Sequence, residues 1–242
     1  MKLLLIGRGK MGKLIAETAQ AGGDEIVAAF GHGDLEQLAK LGKAADVVID
    51  FSRPEALPEV CSYIRRTGTP LLSGTTGYTA AEKRQLEALG TSAPVLWSAN
   101  FSLGVAVLYR ALQVVSDVLK PDFDIEITET HHNQKADAPS GTAKLLMDAI
   151  DPNHVLTPVY GREGNCGKRG KQEIGVHALR GGTVAGTHSV HFFGPDEELE
   201  FTHRAASRQI FVNGALHMAH MLPGKANGVY DLQKILFGDS FS

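Results

Sequence analysis

Cysteine is scarce in this 242-residue sequence, with only Cys61 and Cys166 present, and neither sign of charge dominates: 24 Lys+Arg stand against 27 Asp+Glu, a formal net charge of −3. Two distant cysteines in no C-x-x-C pair build neither a disulfide framework nor a zinc ligand set, which fits a reducing, cytoplasmic setting. The near-neutral balance lacks the basic excess of polyanion binders, so nucleic acid is not an expected partner. Long hydrophobic runs are missing too. The N-terminal run Leu3–Ile6 stops at Gly7-Arg8, too short for a signal segment or a membrane span, and the expectation is a soluble intracellular chain with no membrane partner. No internal repeat or low-complexity tract occurs, and no G-x-S-x-G, so a serine hydrolase of the α/β type lacks its nucleophile turn.

What is there is ordinary globular material, 43% hydrophobic and 21% charged, long enough for one large domain or two modest ones. Its 27 glycines fall at the ends of apolar runs, where turns are needed. The runs Leu3–Ile6, Ile26–Phe30, Val47–Asp50, Pro70–Ser73 and Val95–Trp97 read as strands. Helical spacing between them covers Met11–Gln20, Leu35–Lys40, Pro54–Arg66 and, after a Thr79 cap, Ala80–Ala88. This alternation predicts an α/β fold with an N-terminal Rossmann-type, doubly wound parallel sheet.

Beyond Phe101 the rhythm changes. A long apolar helix, Val105–Leu119, leads to a strand over Phe123–Thr128, a helix over Thr142–Ile150 and a Gly-rich basic stretch, Gly161–Lys171, read as a mobile loop. Strands over Glu173–Arg180, Val184–Phe193 and Glu198–Arg204, joined by short Gly-containing turns, predict antiparallel pairing. The second half is therefore α+β with a mixed or antiparallel sheet, and a last helix, Ala206–Met221, is expected to pack back on the first. The domains implied are 1–101 plus 206–242 and 102–205.

Gly7-Arg8-Gly9-Lys10-Met11-Gly12 matches G-x-G-x-x-G directly after the first strand. The first glycine permits a tight turn, the second a close approach of backbone to pyrophosphate, and the third close helix packing at a positive helix end. Gly7–Lys13 also spells G-x-x-x-x-G-K, but Leu14 has no hydroxyl for Mg²⁺, so a nucleotide triphosphatase is disfavoured. Where a carboxylate usually holds the ribose stands Gly31, followed by His32. With that carboxylate missing and Arg8 and Lys10 beside the loop, both NADPH and NADH are expected to serve, with a mild tilt toward NADPH.

The densest chemistry lies in Glu129-Thr130-His131-His132-Asn133-Gln134-Lys135-Ala136-Asp137-Ala138-Pro139-Ser140-Gly141-Thr142-Ala143, between a strand end and a helix start. Ser140-Gly141-Thr142 offers hydroxyls and amides to a carboxylate, while two histidines and a lysine add proton donors and a cation. Histidine pairs spaced by three, His188 with His191 and His217 with His220, do not read as metal sites. The first pair faces opposite sides of a strand, and no carboxylate or cysteine neighbours the second in sequence. No metal is expected.

These residues, with Gly74-Thr75-Thr76-Gly77, Ser98-Ala99-Asn100-Phe101, Ile174-Gly175-Val176-His177 and Arg180-Gly181-Gly182, carry a resemblance. The chain resembles the 4-hydroxy-tetrahydrodipicolinate reductases (dihydrodipicolinate reductases) of bacterial lysine and diaminopimelate synthesis. Gly31 departs from that family's pattern, where many members carry Glu or Asp. The resemblance implies NAD(P)H-dependent reduction of a cyclic dicarboxylate, 4-hydroxy-tetrahydrodipicolinate, to tetrahydrodipicolinate with loss of water. It places the dinucleotide on Gly7–Gly12, Gly74, Thr75, Thr76 and Ser98, Ala99, Asn100, Phe101, and substrate on His132, Lys135, Ser140, Gly141 and Thr142. His131 is implied as proton donor or acceptor, Lys135 as a second donor, and a homotetramer as the assembly. A catalytically inactive dinucleotide-sensing module is the alternative; it would be expected to lose His131 or Lys135 first, and both are present.

Overall fold

The computed structural model describes residues 1–238; residues 239–242, the end of the expected 206–242 segment, lie outside the described residues. In chain order the elements are β1 (Lys2–Ile6), α1 (Lys10–Ala21), β2 (Glu25–Phe30), β3 (Val47–Asp50), α2 (Leu57–Thr67), β4 (Leu71–Ser73), α3 (Ala80–Leu89), β5 (Pro94–Trp97) and α4 (Leu103–Leu119). They continue as β6 (Asp124–His131), α5 (Gly141–Ile150), β7 (Thr157–Val159), β8 (Glu173–Arg180), β9 (Gly186–Gly194), β10 (Glu197–Ala205), α6 (Gln209–Met221), β11 (Gly228–Tyr230) and α7 (Leu232–Phe237). Contacts divide them into two units, Met1–Ser102 with Gln209–Ser242, and Leu103–Arg208. No helix among the described residues is long and apolar enough to cross a membrane.

The first unit is built on a six-stranded parallel sheet, ordered β11-β5-β4-β3-β1-β2. Its central strands read as unbroken apolar runs because helices cover both faces: Leu3–Ile6 and Val47–Asp50 are buried throughout. Strand order reverses between β1 and β3, which opens a crevice at their carboxyl ends. Thr79 caps α3 as the sequence predicts, in a capping box completed by Glu82. Two expected helices differ in detail. Leu35–Lys40 is a 3₁₀ segment, and Pro54–Ala56 makes a 3₁₀ turn before α2. Six residues with Leu35 and Leu38 as their buried positions satisfy the tighter turn as well as the α spacing.

The second unit carries a five-stranded mixed sheet, ordered β10-β9-β6-β8-β7. Leu108, Leu112, Leu146 and Ile150 of α4 and α5 pack with Ile125, Ile127, Val190 and Phe192 of its buried face. β9 and β10 form the predicted antiparallel hairpin, but β8 and β9 do not pair. β6 lies between them, parallel to β8 and antiparallel to β9. The connection after β8 therefore steps over one strand, and its backbone bonds to the end of β6 instead, Gly181 N to His131 O at 2.9 Å and Asn133 N to Gly182 O at 3.2 Å. The expected start of this strand at Val184 moves to Gly186.

The basic stretch Gly161–Lys171 is also tied down. Arg162 grips both oxygens of Glu126, and Arg169 donates to Asp124, Glu126 and the carbonyls of Ile125 and Glu173. Burial alone would raise Glu126, yet Arg162, His177 and Arg169 hold it down at about 2.

Candidate active site

In the first unit, Gly7 takes φ +102°, and a Cβ there would lie 2.4 Å from the carbonyl oxygen of Phe51. Gly12 meets the Gly7 carbonyl so closely that a Cβ would come within 1.8 Å of its oxygen. Both spacings exclude any side chain. They seat the N-terminus of α1, whose N-cap Gly9 supplies no side chain to occupy the first-turn amides. A cleft of about 490 Å³ opens there, lined among others by Gly7, Arg8, Gly9, Gly31, His32 and Ser52. It sits where strand order reverses, and the close backbone approach and uncovered helix N-terminus suit a dinucleotide pyrophosphate.

Beneath the cleft, Asp50 at the end of β3 is buried and accepts from Ser52 N and Oγ, Ser73 Oγ, Thr75 Oγ1 and Tyr78 OH at 2.5–3.3 Å. Burial pushes its carboxyl up, opposed by those donors. The sequence reading missed Asp50, whose only signal was a carboxylate closing an apolar run. It also placed Thr75 on the cofactor; the structure turns the Thr75 hydroxyl inward to Asp50, its amide donates to Ser73 Oγ at 3.4 Å and its carbonyl accepts from Trp97 Nε1 at 2.8 Å. Thr76 is exposed. Gly74 sits against Phe51, which packs on Phe101 with ring centroids 5.7 Å apart. Ser98 and Asn100 shape the following turn: Asn100 N donates to Ser98 Oγ and Ser102 N to Asn100 Oδ1. Met11 is half-buried and Lys10 exposed at the start of α1, and Arg8 is engaged by Asp34.

In the second unit, alternation along β6 puts Ile125, Ile127, Glu129 and His131 on its buried side. His131 Nδ1 is 2.5 Å from Glu129 Oε2. Arg180 grips both Glu129 oxygens at 2.8 and 2.9 Å, and the backbone amide of Ser140 donates to Oε1 at 3.0 Å. Burial acts to raise the Glu129 carboxyl, but Arg180, His131 and Ser140 together hold it below the usual carboxylate range. Ser140 caps α5 by accepting from Ala143 N, and its hydroxyl also meets His188 Nε2 at 2.9 Å. A Cβ on Gly141 would touch nothing within 4 Å, so the space in front of this helix end is open. Thr142 is half-buried one residue on.

Lys135 Nζ donates to Asp137 Oδ1 at 2.7 Å, and Arg180 donates to the carbonyl of Asp137, so Lys135, Glu129, His131 and Ser140 belong to one connected network. His132 lies between His131 and Lys135, half-buried. The peptide Ala138–Pro139 is cis. His188 packs edge-on against His131 with centroids 5.0 Å apart. Burial, reinforced by the neighbouring His131, lowers it to about 4.

Glu129, Arg180 and His188 have no assigned role in the sequence reading. The one signal was the two-residue spacing of Glu129 and His131 on a strand. Donor atoms of Glu129, His131 and His188 lie within 4.8 Å of one another. Both Glu129 oxygens, however, already face the Arg180 guanidinium, which a divalent cation would have to displace. Beside His220 lies one carboxylate, Asp24, whose Oδ2 is 2.9 Å from its Nε2. That carboxylate comes from the turn before β2, far off in sequence.

Family models for the dihydrodipicolinate reductase N-terminus and C-terminus match residues 1–101 and 104–236. A protein named 4-hydroxy-tetrahydrodipicolinate reductase from an Exiguobacterium species is 40% identical over 239 residues, covering 97% of this chain and 95% of that protein. Its namesake from Clostridium tetani is 41% identical over 248 residues, covering 98% and 97%. A solved structure, a dipicolinate-bound dihydrodipicolinate reductase from Paenisporosarcina sp. TG-14, superposes with a TM-score of 0.79 at 23% identity over 98% of this chain and 99% of that one. The same kind of fold extends to a scyllo-inositol dehydrogenase from Lactobacillus casei with NAD(H), at a TM-score of 0.56 and 10% identity over 90% of this chain and 86% of that one. With both halves of the family matched in order and relatives at 40% identity along nearly the full length, the chain belongs to the dihydrodipicolinate reductase family of oxidoreductases.

Proposed function

We propose that the protein reduces 4-hydroxy-tetrahydrodipicolinate to tetrahydrodipicolinate, with loss of water, using NADPH or NADH, in lysine and diaminopimelate biosynthesis. The observation that carries the reading is the network linking His131, Lys135 and Ser140 through Glu129 and Arg180 beside the open N-terminus of α5. A bound dihydronicotinamide supplies the hydride. Lys135 and the Gly141 and Thr142 amides hold the substrate carboxylates, with His132 alongside. His131 delivers a proton to the carbon next to the hydride acceptor, and Lys135 is a second donor. Dicarboxylate recognition accords with the dipicolinate bound by the Paenisporosarcina protein.

In this reading residues 1–101 with 206–242 bind the dinucleotide, on Gly7, Arg8, Gly9, Lys10, Met11, Gly12, Gly74, Thr75, Thr76, Ser98, Ala99, Asn100 and Phe101. Residues 102–205 bind substrate and join four copies through their sheets. The enzyme works in the cytoplasm. Nothing in the relatives or the site favours the inactive sensing module. The test is cofactor oxidation by the purified protein with 4-hydroxy-tetrahydrodipicolinate, run with NADH and NADPH in parallel. Turnover with either supports the reading, and dinucleotide binding without turnover overturns it.

A further inference from the structure

Every donor around Glu129 forces one arrangement of protons. Arg180 gives it two N–H groups, Ser140 one backbone N–H, and the fully buried carboxylate has only acceptors to offer. The close contact at His131 Nδ1 can then be a hydrogen bond only if Nδ1 carries the proton. That leaves Nε2 as the ring nitrogen outside the Glu129 contact. It lies against Gly186, where a Cβ would come within 3.1 Å of it, so the residue there leaves this nitrogen its space. His188, edge-on to the ring, restricts its rotation.

We propose that Glu129, held in place by Arg180, is the positioning residue of this site: it fixes the tautomer and orientation of His131 so that Nε2 presents the proton. The inference rests on the reading of His131 as the proton donor. In the step itself the Nε2–H bond breaks as a C–H bond forms from the enamine's electron pair. The nitrogen keeps its bonding pair, Nδ1 keeps its proton and Glu129 stays ionised. A carboxylate already neutralised by a bidentate guanidinium does not take the proton from Nδ1, which keeps Nε2 the donating atom.

The test uses full-length Glu129→Gln, His131→Gln and the double variant. A glutamine keeps the shape of the side chain but puts an amide donor against either Nδ1 or Arg180. Glu129→Gln is expected to lower kcat at least about tenfold while substrate KM changes less than about threefold. Because Glu129 acts through His131, the double variant is expected to be no more than about threefold slower than the worse single one. In ¹⁵N NMR of the neutral His131 ring, the proton is expected on Nδ1 in the wild type and predominantly on Nε2 in Glu129→Gln. Where Glu129→Gln fails to fold, Arg180→Lys keeps the charge and removes the fork, with an expected kcat loss of roughly three- to tenfold at unchanged KM. Wild-type kcat in both Glu129→Gln and Arg180→Lys, multiplying losses in the double variant, or an unchanged tautomer overturns the proposal. Full activity in His131→Gln would instead overturn the reading beneath it.

Discussion

Arg8 reaches across Gly31 to Asp34: its Nη2 lies 2.5 Å from Asp34 Oδ2, and Asp34 Oδ1 accepts the Gly31 amide at 2.7 Å. The carboxylate missing at position 31 is thus supplied three residues later, and its charge is spent on Arg8. An arginine paired in this way offers less to a 2′-phosphate than the sequence suggests. Asp34→Asn should release it and lower the NADPH KM relative to that for NADH, about three- to tenfold for an exposed pair. Gly31→Glu should act in the opposite direction. Its Cβ would meet Arg8 Nε at 2.9 Å, displacing a flexible side chain, while the new carboxylate repels a 2′-phosphate by roughly 1–3 kcal/mol. Steady-state kinetics with each cofactor check both. Shifts in the same direction, or a wild type more than about a hundredfold selective for NADH, would rule out charge at this corner as the determinant.

Lys135 is held by a short ion pair to an exposed carboxylate, Asp137, which a substrate carboxylate can replace at little cost. Lys135→Ala should lower kcat/KM well over tenfold while dinucleotide Kd barely changes, since the lysine belongs to the other unit of the chain. Titration of NAD(P)H against variant and wild type, beside the kinetics, separates the two effects. Full turnover in the variant would remove Lys135 from the site.

The parts of this fold legible in the sequence are those decided locally. Leu3–Ile6 and Val47–Ile49 are apolar without alternation because both faces of a parallel sheet are covered, and Thr79 with Glu82 announces a helix start three residues apart. Gly7 and Gly12 mark positions where only hydrogen fits. β7 escaped because Pro158 interrupts it, which an edge strand tolerates. β11 is too short for periodicity to define, and the six residues Leu35–Lys40 give a helical spacing that does not separate a 3₁₀ turn from an α-helix. The insertion of β6 between β8 and β9 is a long-range pairing that turn length alone misreads. The same limit applies at the site. His131, Lys135 and Ser140 share one sequence segment, but Arg180 is 51 residues from Glu129 and His188 is 48 from Ser140, distances at which nothing local couples them.

The Gly161–Lys171 stretch contains two kinds of cation with different expected behaviour. Arg169 donates to three backbone carbonyls and two carboxylates, so Arg169→Ala should cost about 1–3 kcal/mol, read as a lower Tm, and leave the salt slope of kcat/KM unchanged. Lys168 is exposed. Lys168→Ala should leave Tm unchanged and flatten the salt slope, because an exposed cation acts on an approaching dianion through a screened field. Identical effects of the two substitutions would show that the loop acts as a unit in one role.

His188 makes acid stability a test of the network. Its ordinary value of 6.5 falls to about 4 in the fold, through burial first and the nearby His131 second, so the native ring is neutral at neutral pH. The unfolded chain takes up this proton below about pH 6.5 and the native chain only near pH 4, so the folded state binds fewer protons between those values. Stability from this group is therefore fully present above pH 6.5, declines as pH falls toward 4, and changes no further below that. The loss amounts to roughly 3 kcal/mol. Carboxylates titrating over the same range contribute equally to wild type and variant, so the difference between the two isolates the ring. In denaturant unfolding at fixed protein concentration, His188→Gln should be the less stable protein at pH 7, and its deficit should shrink as pH approaches 4. Stability curves that stay parallel from pH 6.5 to 4.5 would mean that His188 is not held neutral beside His131.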